Sequence, residues 1–174
     1  VDLDGTLLRS DMLHETFWNA LSTRRLPIRK VPGVLAHGRA GLKAALAEVA
    51  GIDPATLPYD AQIIDRIATW RRDGGRVALV TASDLRIARA IADHLGLFDD
   101  VFGSTEGQNL KGSAKAERLV AEYGREGFVY IGDSRADLPV WAEAAGAVAV
   151  GGGINGAVDA AGRPAERLPR PGRA

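Results

Sequence analysis

Two aspartates stand one residue apart at the start of the chain, in the sequence VDLDGTLLRSD. Side chains two residues apart on an extended strand point to the same side, so we expect Asp2 and Asp4 to share one neighbourhood if residues 1–4 are extended. Two carboxylates that lie so close repel each other unless a cation or a shared proton offsets their charge. The opening motif therefore raises the question of whether the rest of the chain supplies a cation site.

Further polar residues follow later apolar runs of strand length. Thr81 follows RVALV, and Asp133 and Asp137 lie at the end of FVYIGD and just beyond it. Sites in parallel sheets form at the carboxyl ends of the strands, so we expect these residues to converge on the opening aspartates. Lys115, in the first turn of a predicted helix, would bring positive charge to the same place. Oxygen ligands of this kind suit a hard cation such as Mg²⁺, and the whole set suits phosphoryl transfer.

A simpler interpretation exists for each aspartate taken alone. An aspartate at a strand end often caps the next helix or closes a turn, and Asp84 and Asp137 both fit that role. The combination of these motifs is more specific than any one of the residues taken alone. Asp-x-Asp-Gly-Thr, a strand-end threonine, a helix-start lysine and Gly-Asp-x-x-x-Asp follow one another along the chain, and this order favours a joint chemical site.

The apolar pattern predicts strands that alternate with helices. Continuous apolar runs predict strands at RVALV, DVFGS, FVYIGD and AVAV. Helical spacing predicts helices in YDAQIIDRIATWRRDGG, where Ile63, Ile67 and Trp70 share a face, and in SDLRIARAIADHLG, SAKAERLVAEYG, with Ser113 as N-cap, and DLPVWAEAAG. This alternation predicts an α/β fold, a doubly wound parallel sheet with helices on both faces.

The remaining segments predict how the chain is divided. Residues 11–53 show helical patterns without a strand partner, which indicates a small helical cap inserted after the first strand, between core segments 1–10 and 54–150. Residues 151–174 are rich in Gly, Pro and Arg and predict a tail or linker. The opening VDLDG resembles the end of a strand, so we expect the sequence to be a fragment of a longer chain.

Composition excludes several classes of function. Lys plus Arg and Asp plus Glu both number 22, so no broad attraction to nucleic acid or acidic lipid is expected. The chain has no cysteine, which excludes disulfides, thiolate ligands and cysteine nucleophiles. The longest uncharged stretch near the end, AAGAVAVGGGINGAV, is too short and too glycine-rich for a membrane span. We therefore expect a small partner, no nucleic acid, no membrane contact by this segment and a cytoplasmic location.

From residue 1 to about residue 150, these motifs resemble the haloacid dehalogenase superfamily, in its phosphoserine-phosphatase-like branch. The resemblance implies a Rossmann-like core and a phosphatase that acts on a small phosphate monoester. It makes Asp2 the nucleophile that forms an aspartyl-phosphate and Asp4 the general acid and base. It also implies a Mg²⁺ site made by the Asp2 side chain, the Asp4 backbone carbonyl, Asp133 and Asp137.

The same resemblance assigns the phosphate-binding residues. Thr81 in LVTAS would hold the phosphoryl group beside N–H groups at a helix start. The stretch NLKGSAKAERL offers two lysines, and we favour Lys115, at the helix start, over Lys111 in the approach loop. Ala136 stands where many members of the superfamily have asparagine, which affects a secondary contact. Phosphotransfer to an acceptor other than water would use the same residues, so that alternative stays open.

A second hypothesis comes from another class of protein. The stretch VDLDGTLLRSDMLHETFW is similar to the amino-terminal domain that some bacteria fuse to intramembrane polyprenyltransferases. This resemblance implies one domain of a larger membrane enzyme, with a regulatory role or a polyprenyl-linked phosphate as substrate, and little turnover of free esters. The chain would then be the cytoplasmic part of a membrane protein.

Overall fold

A computed structural model describes residues 1–9, 53–105, 107–151, 159 and 162–169. The helices in these ranges are α1 (Ala61–Arg72), α2 (Leu85–Leu95), α3 (Ser113–Tyr123) and α4 (Leu138–Glu143), with 3-10 turns at Pro54–Thr56 and Arg135–Asp137. The strands are β1 (Ala78–Asp84), β2 (Asp100–Ser104), β3 (Val129–Gly132), β4 (Gly146–Val150) and β5 (Ala165–Leu168). The predicted cap lies outside the described residues except for Asp53, so it stays a prediction.

The strands form two parallel groups that the opening residues join. β1 pairs with β2, and β3, β4 and β5 pair in that order. On one side, the Val1 nitrogen donates to the Ala78 carbonyl at 2.8 Å and the Val80 N–H donates to the Val1 carbonyl at 2.9 Å. On the other side, the Asp2 N–H donates to the Ile131 carbonyl at 2.9 Å. Residues 1–2 therefore lie in the middle of the sheet, between β1 and β3.

Helices pack on both faces of this sheet. Ile67 of α1 and Ile91 of α2 belong to one buried cluster, whereas Leu119 of α3 and Trp141 of α4 belong to another. Neighbouring strand residues alternate between the two clusters, as the pleat requires: Leu79, Ile131 and Val148 belong to the first, and Val80, Tyr130 and Ala149 to the second. The predicted doubly wound α/β fold is confirmed.

Three local predictions differ from the structure. Within the predicted tail, Ala165–Leu168 form β5, an edge strand with two exposed charged residues in its middle, and this composition gives no apolar alternation to detect. Trp70 does not share the burial of Ile63 and Ile67: it is 57% exposed, its ring lies over Gly75, and its indole N–H donates to the Arg76 carbonyl. Finally, α3 begins at Ser113 itself and is preceded by Gly112, with no side-chain cap.

In the described part of the chain, no helix combines the length and the apolar composition that crossing a membrane requires.

Candidate active site

A tight turn positions the two opening aspartates. Just after residues 1–2 leave the sheet, the N–H groups of Leu7 and Leu8 donate to the carbonyls of Asp2, at 3.3 Å, and Leu3, at 2.9 Å. Gly5 takes a φ of +76° inside this turn, a backbone conformation that glycine adopts without strain. Asp2 is buried and Asp4 is half-buried. The prediction of an extended segment through residue 4 therefore fails at Leu3, where this turn begins, and Asp4 makes an isolated bridge with Leu8.

Lys115 lies directly against Asp2. It is 5% exposed in the first turn of α3, and its Nζ donates to Asp2 Oδ1 at 2.7 Å and to the Tyr130 hydroxyl at 2.9 Å. The Tyr130 hydroxyl in turn donates to Asp137 Oδ1 at 2.9 Å, and Lys115 Nζ lies 3.5 Å from that oxygen. An ammonium group has no acceptor, so the direction of this chain of hydrogen bonds is fixed. The buried ammonium group of Lys115 thus lies close to two buried carboxylates, those of Asp2 and Asp137.

The charges in this cluster shift each other's pKa. Burial raises the pKa of Asp2 to about 7; the charge of Lys115 opposes that rise, while Asp137 and Asp4 add to it. For Lys115, burial lowers the pKa, but the charges and hydrogen bonds of Asp2 and Asp137 more than offset burial and hold it above its ordinary value. Lys115 therefore stays protonated, and the carboxylates around it still favour a further positive charge.

The donor set fits such a cation. One carboxylate oxygen from each of Asp2, Asp133 and Asp137 lies within 4.8 Å of the others, and hard divalent cations prefer oxygen ligands of this kind. Asp133 follows β3 and lies over Gly5, where a Cβ would overlap the Asp133 carboxylate. Asp137 is already engaged, because its Oδ2 accepts from the N–H of Ser134 at 3.2 Å and from its hydroxyl at 3.1 Å. These bonds fix the orientation of the Asp137 carboxylate.

Asp4 faces the hydroxyl groups of β1. This strand continues to Asp84, so Thr81 lies within it rather than after it. The Thr81 hydroxyl accepts from the Ser83 N–H at 2.9 Å and donates to Asp4 Oδ2 at 3.3 Å. Ser83 donates its own hydroxyl to the same oxygen at 2.7 Å. Asp84, by contrast, caps α2 by accepting from the Arg86 N–H, as its simpler interpretation predicts.

The structure thus groups every residue that the sequence singled out for the site. Lys115, Asp133 and Asp137 lie around Asp2, and Thr81 lies against Asp4, whereas the alternative lysine, Lys111, is exposed.

Sequence reasoning missed two members of the site. Tyr130 reads as an ordinary apolar strand residue, so nothing marked its hydroxyl as a bridge between Lys115 and Asp137. Ser83 could have been found, because it stands two residues after Thr81 and would share its side of a longer strand.

The close approach of Gly5 to Asp133 makes a testable prediction. Gly5→Ala should cost about 1–2 kcal/mol for the left-handed backbone alone, and more because the new Cβ must displace the Asp133 carboxylate. Gly74→Ala is the matched control, since Gly74 has a φ of +84° with nothing within 4 Å of its Cβ position. Urea unfolding should show the larger loss for Gly5→Ala, and Mg²⁺ titration should show weakened binding for that variant alone. Equal losses and equal Mg²⁺ affinities would contradict the prediction.

Comparison with known families identifies the chain. Residues 1–141 match the family described as haloacid dehalogenase-like hydrolase. The chain belongs to this family. A relative in Sinorhizobium fredii (strain NBRC 101917 / NGR234), Uncharacterized protein y4nM, is 46% identical to this haloacid dehalogenase-like chain over 155 residues, or 88% of the chain. The match spans only 30% of the length of that relative.

Solved structures share the haloacid dehalogenase-like fold at low sequence identity. A protein of unknown function from Bordetella pertussis Tohama I is 20% identical, with a TM-score of 0.66 and 95% of both chains covered. A substrate-bound phosphoserine phosphatase is 17% identical, with a TM-score of 0.61, 95% of this chain and 90% of the other covered. The haloacid dehalogenase-like family protein SP0104 from Streptococcus pneumoniae is 18% identical, with a TM-score of 0.61 and with 95% of this chain and 90% of the other covered.

Proposed function

We propose that this domain is a Mg²⁺-dependent phosphatase that hydrolyses a small phosphate monoester through an aspartyl-phosphate on Asp2. The contact between the buried Asp2 carboxylate and Lys115, with Asp133 and Asp137 beside them, is the observation that carries this proposal. A lysine that meets a nucleophile within a group of carboxylates suits the transfer of a doubly negative group. The fold shared with phosphoserine phosphatase supports the same function.

The reaction divides between the two opening aspartates. An oxygen of Asp2 forms a bond to phosphorus while the bond from phosphorus to the ester oxygen breaks, and Asp4 gives that leaving oxygen a proton. Asp4 then takes a proton from a water molecule that attacks the phosphorus of the aspartyl-phosphate, and the bond from phosphorus to the Asp2 oxygen breaks. This second step releases inorganic phosphate and restores both carboxyl groups.

Two side chains would hold the phosphoryl oxygens. Lys115 uses one N–H on Asp2 and one on Tyr130, so its third N–H is left for the phosphoryl group or for Asp137, 3.5 Å away. Thr81 would turn its hydroxyl from Asp4 to a phosphoryl oxygen. Both residues then stabilise negative charge as it develops on those oxygens.

The metal would be held by Asp2, Asp133 and the backbone carbonyl of Asp4. The Asp137 carboxylate lies beside those of Asp2 and Asp133. Bound there, Mg²⁺ would offset the charge of the carboxylates and of the substrate. In this proposal Asp137 acts mainly by orienting Lys115 through Tyr130, because its oxygens already accept hydrogen bonds from Tyr130 and Ser134.

Hydrolysis of p-nitrophenyl phosphate tests the proposal. We expect turnover with Mg²⁺, its loss to background with excess EDTA, and its return when Mg²⁺ is restored. Measuring nitrophenol against inorganic phosphate, with and without an added alcohol, separates hydrolysis from phosphotransfer, since transfer releases more nitrophenol than phosphate. A folded protein that binds Mg²⁺ and turns over neither this ester nor a panel of small phosphate monoesters would contradict the proposal.

The length of the Sinorhizobium relative, of which this chain covers 30%, supports a second candidate, in which the domain works within a longer chain. By the resemblance of residues 1–18 to the domain fused to polyprenyltransferases, that chain would be a membrane prenyltransferase, with this domain as its cytoplasmic part, in a regulatory role or with a polyprenyl-linked phosphate as substrate. Sequencing the gene on both sides of the region would test it. A membrane enzyme in the same reading frame would support the fusion, and stop codons close to the region on both sides would remove it.

A further inference from the structure

Ser83 stands out as a buried hydroxyl without a role in the proposed reaction. It is 9% exposed and lies in β1, two residues after Thr81. Its hydroxyl donates to Asp4 Oδ2 at 2.7 Å, closer than the Thr81 hydroxyl, which reaches the same oxygen at 3.3 Å. Of these two contacts with the Asp4 carboxylate, the one from Ser83 is therefore the stronger.

The hydrogen bonds of Ser83 show what it can do. A serine has one hydroxyl hydrogen and one backbone N–H, and here the first is given to Asp4 and the second to Thr81 Oγ1. Both donors are therefore engaged by neighbouring side chains. Ser83 therefore acts on the two neighbouring side chains and not on the substrate.

The proposed reaction requires a different role from each of the two neighbours, Asp4 and Thr81. Asp4 must keep one orientation while it first gives and then takes a proton, and Thr81 must leave Asp4 to bind a phosphoryl oxygen. When Thr81 turns away, Asp4 Oδ2 keeps its shorter hydrogen bond from Ser83. That bond holds the carboxylate in place through both proton transfers.

We infer that Ser83 is a positioning residue that holds the Asp4 carboxylate for proton transfer and so allows Thr81 to turn to the phosphoryl group. This inference rests on the proposed phosphatase function and adds to it the residue that orients the acid and base. It makes Ser83 important for protonating the leaving group and unimportant for binding the phosphate.

The dependence of rate on the leaving group tests this role. Ser83→Ala and Ser83→Thr are compared with the wild-type protein on aryl phosphates of increasing phenol pKa and on an alkyl phosphate. A good leaving group such as p-nitrophenolate needs little protonation, whereas an alkoxide needs it fully. We expect Ser83→Ala to lower kcat/KM, which reports the attack by Asp2 and not the later hydrolysis of the aspartyl-phosphate, about 10- to 100-fold for alkyl phosphate and less than about threefold for p-nitrophenyl phosphate. Ser83→Thr, which keeps the hydroxyl, should recover most of the rate.

Ser104→Ala is the matched control, because Ser104 donates its hydroxyl to the Ala82 carbonyl and so supports the same strand through its backbone. It should shift the rates of all esters equally. If Ser83→Ala does not fold, Ser83→Cys replaces it, since a thiol is a weak donor of similar shape and should show the same leaving-group dependence. A loss of kcat/KM that is equal for every ester, or a rise in the inhibition constant of vanadate, would overturn the inference.

The wild-type measurements separate this inference from the proposed function. Metal-dependent turnover by the wild-type protein with no change of leaving-group dependence in Ser83→Ala removes the role of Ser83 alone. No metal-dependent turnover of any ester by the folded wild-type protein removes the phosphatase proposal, and the role of Ser83 falls with it.

Discussion

Asp2→Asn should lower kcat for p-nitrophenyl phosphate on the order of 10⁴-fold or more, because an amide oxygen cannot replace the carboxylate that attacks phosphorus. The substitution keeps the shape of a buried side chain. It should also change the free energy of unfolding less than Lys115→Met does, since burial already disfavours the ionised Asp2 carboxylate and raises its pKa to about 7, and Lys115 keeps the Asp137 carboxylate 3.5 Å away. Steady-state kinetics combined with urea unfolding would show a large loss of rate on an intact fold.

The control for this variant is Asp93→Asn, which makes the same chemical change on an exposed position of α2. That protein should keep the wild-type rate. If Asp2→Asn retained a rate within tenfold of the wild-type protein, Asp2 would not be the nucleophile. A second check is chemical: the aspartyl-phosphate should be trapped by hydroxylamine in the wild-type protein and not in Asp2→Asn.

Lys115→Met should lower kcat/KM about 10²- to 10³-fold, the effect of removing one donor to the charge that develops on a transferring group. It should also destabilise the protein by about 3–5 kcal/mol without Mg²⁺, because it leaves two buried carboxylates without their cation. Added Mg²⁺ should recover more stability in this variant than in the wild-type protein, since the metal then supplies the missing positive charge. Urea unfolding with and without Mg²⁺ measures both effects.

Lys111→Met is the matched control, because Lys111 is the other lysine of the same stretch and is exposed. We expect its stability to change by less than about 0.5 kcal/mol and its rate to stay at the wild-type level. A larger loss of rate from Lys111→Met than from Lys115→Met would reverse the assignment of the phosphate-site lysine.

The sequence predicted those parts of the site that depend on spacing and order. Apolar runs located β2 and most of β3 and β4, and the parallel arrangement then placed Asp133 and Lys115 near Asp2. What it could not predict depends on contacts between distant segments. Tyr130 acquires its role only because α3 brings Lys115 to its hydroxyl, and β5 exists only because β4 offers an edge to residues that have little strand pattern of their own.

The end of β1 is a further part of the fold that the sequence pattern did not predict. The apolar run stops at Val80, yet the strand continues to Asp84, with an irregular register between these two residues. Hydrogen bonds among Thr81, Ser83 and Asp4 replace apolar burial there. Pattern reasoning detects burial of apolar side chains, so it ended the strand where the polar site begins.

The position of residues 1–2 between β1 and β3 limits how far the site can rearrange during a reaction. Thr81 and Ser83 belong to one half of the sheet, whereas Asp133 and Asp137 follow a strand of the other, and the segment that carries Asp2 is hydrogen-bonded to both. If one half of the sheet slid against the other, main-chain hydrogen bonds in the centre of the sheet would have to break. The reorganisation energy of the proposed phosphoryl transfer is therefore lowered by the backbone itself, which fixes the spacing of the reacting groups before any substrate arrives.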